Sequence, residues 1–330
     1  MPLVQRQWDS ITPFRSQISH RATLSLRETS NSGVSSLGLE SYPLFMIQQE
    51  VCATLLTLHL LESRPLPETV LIYLAQRMKT LSNMLTGGAS TSAATNGSAL
   101  DAGKFKGKGF QRPRKTVVRE TKQKAQAVLD VISRTVGTAR RVFASDTSTP
   151  SLMKLALQFF KMPADVPAAF PSELQLSTQI LLATLPSSSH FLLLPQSICS
   201  FTPYIDGASI SADTLQPHLQ DKLDSWFKKS AKDALIKLSD WFSDISTVRD
   251  VWDVRAHLLS WLDTAEGLNP LERRELRLAI DSTCAHQATT VWKRSLGQAQ
   301  ESFQRSLTSA STALEEGSTE HPYGMLRPYA

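Results

Sequence analysis

The sequence predicts an all-α protein, an elongated helical bundle of stacked helical hairpins with a disordered basic linker. Three observations predict it. Apolar residues recur at steps of three, four and seven through most of the chain, the period of one helix face, and strand-like alternation is lacking. Glycine is sparse, 14 in 330 residues, and gathers with serine, lysine or proline between the periodic stretches. Hydrophobic residues make up 41% of the chain, enough for a sizeable core.

The first helix spans Pro2 to Arg27, with Val4, Trp8, Ile11, Ile18 and Ala22 on one face and Pro13 expected to kink or split it. A Ser/Gly loop follows from Thr29 to Gly38. Leu44 to Leu61 forms the next helix, and Arg64-Pro65-Leu66-Pro67 breaks it. Pro67 suits the first position of a helix running to about Leu85, with Glu68 in its first turn and Val70, Leu71, Leu74, Met78, Leu81 and Leu85 along one side. The short turn makes these two an antiparallel hairpin.

Residues 86–114 begin with a Gly/Ser/Thr run and end in a Lys/Gly run, with too little apolar content to fold, so they are assigned as disordered. Lys115 to Ala144 is a helix with Val118, Ala125, Leu129, Ile132, Val136 and Val142 as its apolar positions, followed by a shorter one from Pro150 to Lys161. Met162 to Pro171 reads as a loop, Leu174 to Leu185 as a short helix, and Phe191 to Leu194 as an apolar knot in an irregular connection.

The last third carries the strongest pattern. Thr214 to Ile245 keeps Leu219, Leu223, Trp226, Leu235, Leu238, Trp241 and Ile245 near one stripe. Ser246-Thr247 caps a helix with Val248, Val251, Trp252, Val254, Leu258, Leu259, Trp261 and Leu262, and Gly267 is placed as its C′ glycine. Asn269-Pro270-Leu271-Glu272 then supplies an N-cap, a proline at the first position and a glutamate at the third. The helix it opens carries Ile280, Cys284, Ala288, Val291, Ser295, Ala299, Phe303, Leu307 and Ala310, and at ~1.5 Å per residue is roughly 60–70 Å long. The domain reading is an N-terminal helical segment at 1–85, the linker at 86–114, a helical rod at 115–316 and a disordered tail at 317–330.

The net charge of +5 is concentrated. Lys104, Lys106, Lys108, Arg112, Arg114 and Lys115 follow one another with no acid between them, and the remainder is close to neutral. Phe105 and Phe110 interleave these cations, so a basic adaptor binding RNA or anionic lipid through Lys104 to Lys124 is the alternative reading. Cys52, Cys199 and Cys284 stand far apart, which argues against a disulfide framework and against a zinc site. None of the seven histidines falls in an HxxxH or HExxH pattern; His59, His257 and His286 read as structural or surface residues. No Walker, dinucleotide or nucleophile-elbow motif occurs, and the glycines around Lys104 to Lys108 lack the strand and the Ser/Thr that a phosphate cradle needs. Catalytic residues, metal and cofactors are therefore not expected, and no apolar run approaches the ~20 residues of a membrane span.

Five of six tryptophans fall after residue 220, and at helical spacing a core role leads over a binding role. Trp241, Val248, Trp252, Arg255 and Trp261 form the candidate structural clamp or partner contact. Trp241 and Trp252 are expected to clamp the turn at Ser246-Thr247, with Val248, Trp252 and Leu259 on one face and Arg255 stacked on Trp252 or paired with Asp250 or Asp253.

Trp241-Phe242-Ser243-Asp244-Ile245 followed by Thr247-Val248-Arg249-Asp250-Val251-Trp252-Asp253-Val254-Arg255 resembles a "WF-x-D-L … S-V-x-x-V-W-x-V-R" segment of the subunit 1 family of the conserved oligomeric Golgi complex. Tyr73 to Arg77, Val131 to Gly137 and Thr184 to Pro195 are similar to other stretches of that family, in the same order. The resemblance implies a non-enzymatic, rod-type subunit of a vesicle-tethering complex in intra-Golgi retrograde transport. It also implies sister subunits as partners, with SNAREs, Rab GTPases and coat proteins reached through them, and a peripheral place on the cytosolic face of the Golgi membrane. Family members are longer, with an N-terminal coiled coil and a further C-terminal region, so the chain reads as a middle portion or truncated form. Its tail from Glu316 to Ala330 lies outside the similarity.

Overall fold

A computed structural model describes residues 2–28, 44–86, 114–144, 150–161 and 215–317, and these form eight α-helices and no strand. In chain order they are α1 (Pro2–Glu28), α2 (Leu44–Glu62), α3 (Leu66–Thr86), α4 (Arg114–Phe143), α5 (Leu152–Lys161), α6 (Leu215–Phe242), α7 (Val248–Thr264) and α8 (Pro270–Gly317). Among the described residues no helix is long and apolar enough to cross a membrane. The linker between α3 and α4, the short helix and apolar knot expected between 174 and 194, and the tail after Gly317 lie outside the described residues.

α4 is the axis of the bundle. It packs against α2, α3, α5, α6 and α7, while α1 lies on α2 and α3, and α8 lies on α6 and α7. One cluster of buried apolar side chains runs from Leu26 of α1 through Ile132 and Val136 of α4 to Val291 of α8. The segments 1–85 and 115–316 therefore share a single core. Ser63, at φ 53°, turns the chain between α2 and α3, and the Pro65 carbonyl accepts from the N–H groups of Glu68 and Thr69. α3 starts one residue earlier than the proline rule places it.

Two local expectations are corrected. Pro13 does not split α1, which continues through it from Pro2 to Glu28. A proline removes one donor and crowds the carbonyl four residues back, a local cost that a 27-residue helix absorbs; Ser16 Oγ also donates to the Pro13 carbonyl at 2.9 Å. The face α1 buries is set by Ser19, Ala22 and Leu26, and Ile18 is exposed. At the end of α7, Ala265 is the C-cap, so Gly267 sits beyond the C′ position. Its φ of +99° still needs glycine, and it does a second thing the cap rule does not anticipate.

Gly267 lies directly against Gly137 of α4. A Cβ on Gly137 would stand 2.6 Å from the Gly267 Cα, and one on Gly267 would stand 2.8 Å from the Ser133 carbonyl oxygen. This backbone-to-backbone approach is stitched by polar groups. Ser133 Oγ donates to the Glu266 carbonyl, and Arg140 donates to the Gly267 carbonyl at 3.0 Å and to the Glu272 carboxylate. Glu272 also completes the reciprocal cap of α8: its N–H donates to Asn269 Oδ1 at 2.8 Å, and its carboxylate accepts the Asn269 N–H at 2.9 Å. A carboxylate buried at this corner thus has both a guanidinium and a helix N-terminus as partners.

More distant ties hold the outer helices in register. Trp226 Nε1 donates to the Leu74 carbonyl at 3.0 Å, fixing α6 to α3, and Gln287 Nε2 donates to the Phe242 carbonyl at 2.8 Å, fixing α8 to the end of α6. Arg77 is buried between α3 and α4 with Nε donating to Thr135 Oγ1 at 3.0 Å, and burial lowers its pKa.

Candidate partner surface on α7

Thr247 is the N-cap of α7, in extended conformation, and its hydroxyl accepts from the Asp250 N–H at 3.3 Å. The helix then buries Val251, Val254, Leu258 and Leu262, steps of three and four that define its inner face. Trp252 stands one residue, roughly 100°, around from Val251, and is 41% exposed. The expected tryptophan clamp is therefore corrected. The corner between α6 and α7 is closed by Phe242 and Ile245, both buried, with the Ile245 N–H donating to the Phe242 carbonyl at 2.9 Å. Trp241, Val248 and Trp261 are half-buried at the edge of the core, Trp226 is the buried tryptophan of this region, and Trp292 is exposed.

Trp252 is not loose on the surface. The Arg255 guanidinium lies 5.0 Å from its ring centroid, as the three-residue spacing predicts. Arg255 does not pair with Asp250 or Asp253; its Nε donates to Asp281 of α8 at 2.7 Å. Asp253 instead accepts from Lys122 of α4 at 2.7 Å, and His257 bonds Gln126 of α4 at 2.8 Å. α7 is thus gripped from both sides, by α4 and by α8, while the indole faces outward on a pre-positioned cation.

Beside it runs a groove of about 730 Å³ between the starts of α4 and α7, lined by Lys115, Arg119, Lys122 and Arg249 and by the carboxylates of Asp250 and Asp253. Of the linker cations, Lys115 lines this groove and Arg114 opens α4; Lys104, Lys106, Lys108 and Arg112 lie outside the described residues. A second groove, about 520 Å³, lies between α6 and α8 and includes Ile236, Leu276 and His286. Among the described residues no group of histidine, cysteine and carboxylate side chains is placed to hold a metal ion. His59 is buried with Nδ1 against the Arg64 carbonyl.

Sequence reading missed the Gly137–Gly267 contact and the Arg140–Glu272 pair. Each partner lies more than 120 residues from the other, and only the small residues of α4 hint at a close approach. No known protein family, curated protein or solved structure matches the chain.

Proposed function

We propose that this chain is a non-enzymatic scaffold that binds other proteins through helix surfaces, with the exposed Trp252–Arg255 pair on α7 at the centre of one contact. The observation that carries this reading is an indole left 41% exposed one residue from the buried Val251, with its stacking cation anchored to another helix. Tryptophan and arginine are the residue types that dominate interface hot spots, and rigid placement lowers the ordering cost of binding. Together with the sequence resemblance given above, this favours a subunit of a Golgi vesicle-tethering complex. It would act in intra-Golgi retrograde transport, peripheral on the cytosolic face, with sister subunits as direct partners and SNAREs, Rab GTPases and coat proteins reached through them. Affinity purification from cells followed by mass spectrometry should recover other subunits of the oligomeric Golgi complex. Recovery of none of them would overturn the assignment.

The groove at the start of α4 supports a second reading, a basic adaptor for RNA or anionic lipid. Four cations converge there at the end of the basic linker. Two carboxylates share the groove and Lys122 is engaged by Asp253, so its field is mixed. Salt dependence separates the readings. An adaptor loses affinity steeply between 50 and 200 mM salt, on the order of a thousandfold when several phosphates are neutralised, whereas a helix-packing contact changes little.

A further inference from the structure

We propose that the second half of α8 is a self-association helix, on which two copies of this chain pair antiparallel. This goes beyond the contact on α7 and uses a different part of the molecule. α8 is 48 residues long, and the last of its buried residues is Val291. From Trp292 to Glu315 the described side chains are exposed almost without interruption, about 36 Å of helix with no bundle against it at ~1.5 Å per residue. A polar helix in that position would need no explanation, but this one is amphipathic. Leu296, Ala299, Phe303, Leu307, Ala310 and Leu314 follow at steps of three and four, with Phe303 64% and Leu314 76% exposed.

The stripe is not an overrun of the bundle face. At ~100° per residue, it lies roughly 140° around the axis from the line of Leu276, Ile280, Cys284 and Val291 that faces the core. The positions that continue the core line, Ser295, Gln298, Ser302, Ser306 and Ser309, are polar, as expected where the bundle has ended. The stripe continues the face that already carries the exposed Leu278 and Trp292, and is a surface separate from the core line.

Two features commit it to a second copy. The stripe reads nearly the same in both directions about residue 305: Leu296 mirrors Leu314, and Phe303 mirrors Leu307. Its ends carry opposite charge, Lys293 at the bundle end and Glu315 at the far end, both on the same flank of the stripe. A two-fold antiparallel pair places Leu296 against the partner's Leu314, Phe303 against the partner's Leu307, and Lys293 within a turn of the partner's Glu315. This is the self-complementarity that an isologous contact requires. A parallel pair would instead set each Lys293 level with the partner's Lys293, far along the helix from the partner's Glu315. Arg305 lies on the side away from the stripe, held to Glu301 one turn before, so the two-fold axis does not set arginine against arginine.

Sedimentation equilibrium on the full chain tests this. The wild type is expected to dimerise in the micromolar range. Phe303→Glu should weaken the dimer at least tenfold while leaving the melting temperature unchanged, since residue 303 lies outside the core. Lys293→Glu should weaken it, and Lys293→Glu with Glu315→Lys should restore it. A chain that stays monomeric at 100 μM overturns the proposal, as does a dimer that survives Phe303→Glu. A dimer that Lys293→Glu leaves unweakened lacks the Lys293–Glu315 contact and also overturns the proposal. None of these outcomes bears on capture through Trp252, so the two readings fail separately.

Discussion

At the scale of single residues, the pair Gly137 and Gly267 sets how closely the α7–α8 corner approaches α4. Gly267 is fixed twice, by its positive φ and by the Ser133 carbonyl beneath it. Gly137 is fixed only by space, which makes it the cleaner test. In Gly137→Ala the new Cβ meets backbone at 2.6 Å, and backbone cannot swing aside as a side-chain tip can. The substitution should destabilise by about 1–3 kcal/mol, although alanine is the better helix former, and a urea midpoint that rises instead would contradict the close contact. A second expectation concerns the buried thiols. Burial pushes Cys52 up to about 12, and it also pushes Cys284 up to about 12, with Arg255 opposing and Asp281 adding. Both should resist iodoacetamide at pH 8 in the folded protein and react once guanidinium unfolds it, read by mass spectrometry of the labelled peptides. Labelling of either in the native state would show that its helix opens locally. The sign of the linkage follows: unfolded thiols ionise from about 9 upward while folded ones stay protonated, so their contribution to stability is intact below pH 9 and is lost as pH rises toward 12.

At the scale of elements, what periodicity can encode was legible and what close packing encodes was not. The apolar positions expected on α4 are buried or packed on the core, but they describe one face of a helix that is surrounded. Ser133, Thr135, Gly137, Thr138 and Ala139 are buried as well, and a hydrophobic pattern counts most of these as polar or neutral. Thr135 shows how they fit: its hydroxyl donates to the Val131 carbonyl at 2.6 Å and accepts from Arg77, so both of its hydrogen-bonding roles are filled. The capping box of α8 was legible because its partners are three residues apart, whereas the Arg140–Glu272 pair was not, its partners being 132 apart. α8 also carries a weak link in its projecting half. A Cβ added at Gly297 would meet nothing within 4 Å, so Gly297→Ala removes the entropic cost of a mid-helix glycine with no clash, about 0.5–1 kcal/mol. That gain is local to the overhang. Hydrogen exchange should slow for the amides flanking residue 297 while the global unfolding midpoint stays where it is, and a shifted midpoint would mean the overhang is coupled to the core.

At the scale of the whole molecule, the tryptophans separate what holds the bundle together from what it presents. Helical spacing alone ranks Trp226 and Trp252 as equals, since each lies within a dense apolar stretch. The fold divides them: α6 turns Trp226 onto α3, while α7 buries the valine beside Trp252 and leaves the indole at the flank. Trp226 is 7% exposed and its indole N–H has a carbonyl partner on α3. Trp226→Ala should cost about 3–5 kcal/mol, the loss typical of a buried aromatic, and lower the melting temperature by several degrees. Trp252→Ala removes a ring that is 41% exposed and one cation–π contact of about 0.5–1 kcal/mol, so its melting temperature should fall by only a degree or two. Partner capture should respond in the opposite order. Truncating a hot-spot tryptophan costs at least about 2 kcal/mol of binding, a weakening of roughly thirtyfold or more. Trp226→Ala, assayed below its melting temperature, should retain capture. If Trp252→Ala instead lowers melting as much as Trp226→Ala and leaves capture intact, the indole belongs to the core and the partner surface lies elsewhere on the bundle.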